Sequence, residues 1–291
     1  MHSCLLHNGE IRGTSEKLVS PGQVGFMNGW GVFTTIRVLD GVLFAYQRHY
    51  QRMQRDALRM RVPLEVSAPD LEQMLLRLVE ANHAPNSTLR VAIVRNQGGL
   101  FEGPGIERAA DIVAFTADRY PWGSGVRLMY MPQGRHAASE FAGAKITSWS
   151  QNLVWNEEAH QRGFDEVILL NEFGQVSECT SANVFIVHRN TVWTPPVETS
   201  GCLAGVTRAV LLEEVQVDGL HLEEHDFLPA DLETADQVFI TSTTRDLLPV
   251  TEIEGRALRQ SAELFGRLKN GFLAYQVEYA ALHGKAEAVG R

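Results

Sequence analysis

The 291-residue sequence is poor in several things, and each shortage excludes something. Three cysteines, Cys4, Cys179 and Cys202, are too few and too scattered for a disulfide framework or a zinc site. That points to a reducing, cytoplasmic setting. No apolar run approaches the roughly 18–20 residues of a membrane-spanning helix, so no membrane partner is expected. The opening MHSCLLHNGE lacks the basic patch and apolar stretch of a signal peptide. Basic residues number 26 against 35 acidic ones, a net charge of -9, which argues against a nucleic-acid or anionic-membrane partner. Lysine is scarce among the 26 basic residues: Lys17, Lys145, Lys269 and Lys285 are all there is, so each repays inspection. The ten histidines show no metal-ligand spacing, and no metal is expected; His49, His221 and His225 read as helix or loop surface.

What is present is ordinary for a soluble globular enzyme: 44% hydrophobic and 21% charged residues. The length suits one large domain or two modest ones. Pro and Gly cluster at Tyr120-Pro121-Trp122-Gly123-Ser124-Gly125 between two apolar runs. The expected division is therefore an N-terminal domain over 1–117, a linker over 118–125 and a C-terminal domain over 126–291. There is no internal repeat and no low-complexity segment.

In the first part, residues 31–38 are rich in β-branched types and read as a strand, turned at Asp40-Gly41 into 42–44. Helical spacing predicts helices over 46–61, stopped near Pro63, and over 69–81. Residues 89–94 and 112–115 read as strands. In the second part, strands are predicted at 126–131, 166–170, 175–178, 184–187, 191–193 and 237–241. Helices are predicted at 151–162, 206–215 and 261–279, with a frayed tail from Leu282 to Arg291. The elements mix without strict βαβ alternation, which favours an α+β architecture over a doubly wound sheet.

Lys145 sits in the almost wholly apolar Phe141-Ala-Gly-Ala-Lys-Ile146. A lysine buried in such surroundings tends to lose its proton and can then form a Schiff base. The plainer reading is a lysine snorkelling from a strand end. Glu178, in Val176-Ser-Glu-Cys-Thr-Ser-Ala-Asn183, interrupts small and apolar residues. It could aim at a pyridine nitrogen and keep the ring an electron sink, or be a strand-end acid in solvent. Gly205-Val206-Thr207-Arg208 opens a helix, either as a phosphate cup or as an ordinary capped junction. Thr241-Ser242-Thr243-Thr244 follows an apolar strand and offers hydroxyls, or is simply a polar loop. Arg52 could grip a phosphate or share a solvated face with Arg48, Arg55 and Arg59. Cys179, beside Glu178, reads as a small packing residue.

Taken in order, Arg52, Lys145, Glu178, Gly205-Val206-Thr207 and Ser242-Thr243 resemble the class IV aminotransferases, the fold-type IV pyridoxal-phosphate enzymes. The resemblance covers roughly residues 26 to 255 and is most specific in 177–185, Thr194-Pro195, 203–208 and 239–250. It implies a two-domain fold, with a smaller N-terminal α/β domain and a larger C-terminal mixed-sheet domain. It implies pyridoxal 5'-phosphate as cofactor, Lys145 as the Schiff-base lysine and general base, and Glu178 on the pyridine nitrogen. Arg52, Val206, Thr207, Ser242 and Thr243 would bind the phosphate. It also implies a homodimer whose active sites lie between two domains and near the subunit interface.

Within that family the sequence points two ways. Phe33-Thr-Thr-Ile-Arg-Val-Leu-Asp-Gly41 with His49-Tyr-Gln-Arg52, and Glu178-Cys179 with Ala182-Asn183, look like aminodeoxychorismate lyase, which releases pyruvate and 4-aminobenzoate. Phe33, Arg37 and Arg90 also fit the branched-chain enzymes, and 241–250 looks like a transaminase; Thr244 joins the substrate set. Departures from the branched-chain pattern stand at Asn28, Thr34 and Ser150, and Glu102 is a poor neighbour for a dicarboxylate. The Arg-x-His pair typical of D-amino-acid transaminases is missing from the 98–102 loop. The reading adopted is transamination of a moderately apolar, branched-chain-like amino acid to its 2-oxo acid, with the lyase as alternative. A D-amino-acid transaminase, or a module that binds the cofactor without catalysis, ranks behind both. The bare binder would have no reason to keep Lys145 and Glu178 together.

Overall fold

The computed structural model describes residues 1–284, arranged in two compact units. The first unit comprises Met1–Tyr120, Ala144–Trp149 and the chain from Val277. Its elements are β1 (Cys4–His7), β2 (Glu10–Gly13), α1 (Val24–Asn28), β3 (Gly31–Leu39), β4 (Val42–Leu43), α2 (Tyr46–Arg59), α3 (Ala68–Ala81), β5 (Thr88–Arg95) and β6 (Ala110–Ala117). The strands form one antiparallel sheet in the order β2-β1-β6-β5-β3-β4. Asp40 and Gly41 both take positive φ, 48° and 85°, the backbone that a two-residue hairpin needs to match strand twist.

Helices α2 and α3 cover one face of this sheet. Alternate residues of β3 and β5 point at them: Val32, Ile36 and Val38 with Leu89, Val91 and Ile93, packed with Leu71, Leu75 and Leu78. Thr34 falls on this helix-facing side. The same alternation puts Phe33, Thr35 and Arg37 on the opposite face, with Arg90 directly across from Thr35.

Residues 144–149 add to this unit as an extended segment beside β3. Val32 bridges Ile146, Phe33 N–H donates to the Lys145 carbonyl at 3.0 Å, and Thr147 N–H donates to the Gly31 carbonyl at 2.9 Å. Lys145 therefore packs with the N-terminal residues, although it lies beyond the 118–125 stretch that divides the sequence linearly.

The second unit comprises Pro121–Gly143 and Ser150–Gln276. Its strands are β7 (Val126–Met131), β8 (Glu166–Leu170), β9 (Val176–Cys179), β10 (Asn183–His188), β11 (Thr191–Thr194), β12 (His221–Glu224), β13 (Gln237–Ser242), β14 (Asp246–Ile253) and β15 (Arg256–Ala257). The helices are α4 (Ser150–Gln161), α5 (Val197–Ser200), α6 (Val206–Glu213), α7 (Pro229–Thr234) and α8 (Ala262–Gly284), the last crossing back into the first unit at Val277. The sheet runs β12-β11-β10-β13-β14-β7-β8-β9, with β15 on β14. The pairs β11/β12, β14/β7 and β7/β8 are parallel and the others antiparallel, so this is the mixed sheet that the family resemblance implies. Its core gathers Ile168, Val184, Ile186, Val238, Ile240 and Val250. Phe185 and Phe239 stack at 5.1 Å across neighbouring strands.

The predicted elements are found within a few residues of their expected ends. Helix α8 is longer than expected and takes in 280–284; the remainder of the tail expected to fray, 285–291, lies outside the described residues. Among the described residues no helix is long and apolar enough to cross a membrane, and no group of His, Cys, Asp or Glu could hold a metal ion.

Candidate active site

The first unit gathers one set of the expected residues. The Lys145 ammonium lies 4.6 Å from the centre of the Phe33 ring, and the Arg90 guanidinium carbon 3.8 Å from the same centre. Trp149 meets that ring edge-on at 6.3 Å. Burial pulls the Arg90 guanidinium below its ordinary value. The Lys145 peptide is held on both sides. Its carbonyl accepts from Phe33, and its N–H donates at 3.1 Å to Oδ2 of Asp56, a buried carboxylate on α2 whose other oxygen accepts from Arg55 at 3.0 Å. Arg37 is 1% exposed, two residues further along the face of β3 that carries Thr35.

Arg52 is buried on α2 instead of sharing a solvated face, and it donates to Thr34 Oγ1 at 2.8 Å. His49, one helical turn earlier, meets that same oxygen through Nδ1 at 2.7 Å. This corrects the expectation of a surface histidine. His49 is 1% exposed because the face of α2 formed by Tyr46, His49, Met53, Asp56 and Ala57 packs on the sheet. His221 and His225 are exposed, as expected.

Burial, then the Arg52 and Lys145 charges, hold the His49 imidazole well below its ordinary 6.5. The folded state thus refuses a proton that the unfolded chain accepts. The associated stability is complete above that value and drains away as pH falls below it. In urea titrations between about pH 7 and pH 5, the wild type is expected to lose up to about 1.4 kcal/mol per pH unit more than His49→Asn. Equal slopes would show that His49 is protonated in the fold.

The second unit gathers the other set. Glu178 on β9 is buried and accepts at both oxygens: from Arg135 Nε at 2.9 Å and from the Leu203 N–H at 3.1 Å. Leu203 in turn accepts at its carbonyl from the Asn183 amide at 2.9 Å. Asn183 pairs with Thr241 in the β10–β13 register. Asn183 therefore ties the loop before α6 to the end of β13. Helix α6 starts at Gly205 with no capping side chain on its first-turn amides, and Val206 and Thr207 there are both buried. A Cβ at position 205 would run into the Asn183 amide, so glycine is required by close approach.

Ser242 ends β13, and Thr243, Thr244 and Arg245 form the turn into β14. Ser242 Oγ lies 3.2 Å from Thr244 Oγ1 and accepts from the Arg245 N–H at 3.2 Å. Arg245 anchors the turn. It reaches Glu166 at 3.0 Å and Ser181 Oγ at 2.9 Å, and its guanidinium carbon lies 4.0 Å from the Trp122 ring centre. Cys179 is fully buried and its thiol is raised well above its ordinary value, first by burial, in keeping with a packing role.

Several of these residues carry no role in the sequence reading: Asp56, His49 and Thr34 in the first unit, Arg135, Asn183 and Arg245 in the second. Asp56 has one signal, an acid on the apolar face of α2. Arg135 has none, since it follows a strand in an unremarkable loop. Glu102, read as a poor pocket neighbour, accepts from the Gly98 N–H of its own loop at 2.7 Å.

Residues 31–253 match the family described as Amino-transferase class IV. The chain belongs to the class IV aminotransferases. This aminotransferase is 29% identical over 262 residues to a D-alanine aminotransferase of Bacillus licheniformis, spanning 89% of this chain and 91% of that one. It is 26% identical over 249 residues to the branched-chain-amino-acid aminotransferase of Escherichia coli K12, covering 78% and 77% of the two chains. In fold it is similar to a branched-chain amino acid aminotransferase of T.th. solved with pyridoxamine 5'-phosphate. That likeness has a TM-score of 0.86, with 22% identity and 97% coverage of both chains.

The family works with pyridoxal 5'-phosphate, and this aminotransferase has what that group needs. It has an amine on a pinned peptide at Lys145 and a carboxylate fixed at both oxygens at Glu178. It has a helix start at Gly205 with no side-chain cap bond, a kind of place that suits a phosphate, and a buried Thr241 hydroxyl with no hydrogen-bond partner among the described residues.

Proposed function

We propose that this aminotransferase moves the amino group of a moderately apolar, branched-chain-like amino acid to a 2-oxo acid, with pyridoxal 5'-phosphate as cofactor. The observation that carries the reading is the Lys145 amine set against the Phe33 ring with Arg90 beside it. An aromatic face suits an apolar side chain, and a guanidinium suits the carboxylate that every amino acid carries. Arg37 and Thr244 complete the proposed substrate set.

The bound cofactor supplies an electron sink for the carbanion formed when Cα is deprotonated. The chain's own residues do the rest. Lys145 would hold the cofactor at rest and then take the Cα proton on its Nζ. Glu178, fixed by Arg135 and the Leu203 N–H, would keep a proton on the pyridine nitrogen. Arg52, the amides of Val206 and Thr207, and the hydroxyls of Thr207, Ser242 and Thr243 would hold the phosphate. A homodimer belongs to the same proposal and is tested by sedimentation.

The substrate test mixes the purified holoenzyme with a panel of L- and D-amino acids plus a 2-oxo acid, and separately with aminodeoxychorismate, with products identified by mass. New 2-oxo acids from L-Leu, L-Ile or L-Val are the expected result. Products from D-amino acids alone, or pyruvate and 4-aminobenzoate without transamination, would overturn the substrate assignment.

A further inference from the structure

Thr34 bonds both His49 and Arg52 through one hydroxyl oxygen. The geometry fixes the direction of one bond and leaves the other to the histidine tautomer. Arg52 has only N–H groups to offer, so at 2.8 Å it donates and Thr34 Oγ1 accepts. The hydroxyl then has one hydrogen left, and His49 Nδ1 stands 2.7 Å away to receive it. That holds where Nδ1 carries a lone pair; where Nδ1 carries the proton, the Thr34 oxygen accepts from both Arg52 and His49 on its two lone pairs. Burial and the neighbouring Arg52 and Lys145 charges favour the neutral imidazole, and either neutral tautomer holds the Thr34 oxygen.

The three groups sit on two rigid elements. His49 and Arg52 are three apart on α2, on adjoining positions of one face, and Thr34 projects from β3 towards them. The imidazole holds the Thr34 oxygen at 2.7 Å, and that oxygen keeps a lone pair for the guanidinium. A guanidinium is a planar fork, so fixing one edge fixes the plane in which its other N–H groups lie. A preset fork binds an oxyanion without first losing rotational freedom.

We propose that Thr34 and His49 are a positioning pair that presets the Arg52 guanidinium for the phosphate of the cofactor. The inference rests on the reading of Arg52 as a phosphate ligand, and the two can fail separately.

The test compares two probes on full-length apoprotein, pyridoxal 5'-phosphate and pyridoxal, which differ only in the phosphate. Thr34→Val keeps the side-chain volume and removes the hydroxyl. It is expected to raise the Kd for pyridoxal 5'-phosphate about tenfold while changing the Kd for pyridoxal less than about twofold. Thr34→Ser restores the hydroxyl and is expected to restore the affinity. Arg52→Met serves as the reference and should show the same phosphate-selective loss, only larger. A phosphate-selective loss in Arg52→Met with none in Thr34→Val would overturn the positioning pair and leave Arg52 in place. No selective loss in Arg52→Met would overturn both. Equal weakening of the two probes in Thr34→Val would mean the pair merely supports the fold, and would also overturn the proposal. If Thr34→Val does not fold, His49→Asn against His49→Leu carries the same test. The first keeps an acceptor near Nδ1 and should retain phosphate selectivity, whereas the second removes it and should lose it. Loss in neither would overturn the proposal.

Discussion

Lys145→Ala is expected to purify without the visible absorbance of covalently held cofactor and to turn over amino acids at least about 10³-fold more slowly than the wild type. Alanine removes the only atom of residue 145 that can bond an aldehyde or carry a proton. It leaves the peptide where it is, because position 145 enters the clamp on that peptide through backbone atoms alone. The Phe33 N–H still meets the carbonyl and Asp56 still accepts from the N–H. The fold should therefore survive, and the loss can be assigned to chemistry. A Lys145→Ala protein that keeps the absorbance band, or turns over within about tenfold of the wild type, would remove Lys145 from the mechanism.

The second large effect is expected at Glu178. Both of its oxygens accept, from Arg135 and from the Leu203 N–H. Glutamine has one acceptor and one donor, so in Glu178→Gln either orientation points an NH₂ at another donor. The substituted site loses the negative charge that, on the proposed reading, would hold a proton on the pyridine nitrogen. It also leaves one buried donor unsatisfied. Turnover is expected to fall about 10²-fold, the size of effect seen when one preorganised electrostatic partner is lost. Loss should appear mainly in kcat, because the residue acts on charge that develops during reaction. A change within about threefold would show that Glu178 only holds Arg135 and Leu203 together.

Much of the frame can be read from local pattern. The β3–β4 hairpin follows from Asp40-Gly41, and α3 from its spaced leucines with Ser67 capping the Asp70 N–H. The β1–β2 hairpin is just as legible, although the sequence reading leaves it out. Asn8-Gly9 is as strong a turn signal as Asp40-Gly41, and both residues take positive φ. Strand β14 is hidden by Pro249, which argues against a strand until its place in the register is known. Lys145 and Glu178 can be found because each is a charged residue set in an apolar or small-residue run. Their supports cannot. Asp56 acts on Lys145 from 89 positions away, and Arg135 on Glu178 from 43, and no local pattern encodes such a meeting. His49 reads as surface because the helical turn it shares is crowded with arginines in sequence. Which of them faces inward is decided by packing on β3.

The return of residues 144–149 to the first unit bears on how the protein is made. Translation delivers Met1–Tyr120 first, with its sheet strands and both covering helices complete. The segment that lies along β3 and carries Lys145 emerges only afterwards, following Pro121–Gly143 of the other unit. The last piece of the first unit, from Val277, comes at the end of the described chain, after all of the second unit. A nascent chain halted anywhere before Ala144 has the Asp56 carboxylate on α2 with no Lys145 peptide to receive. Among the described residues, the unit whose strands come first in the chain is thus the last to be completed, and the two units cannot be finished one after the other.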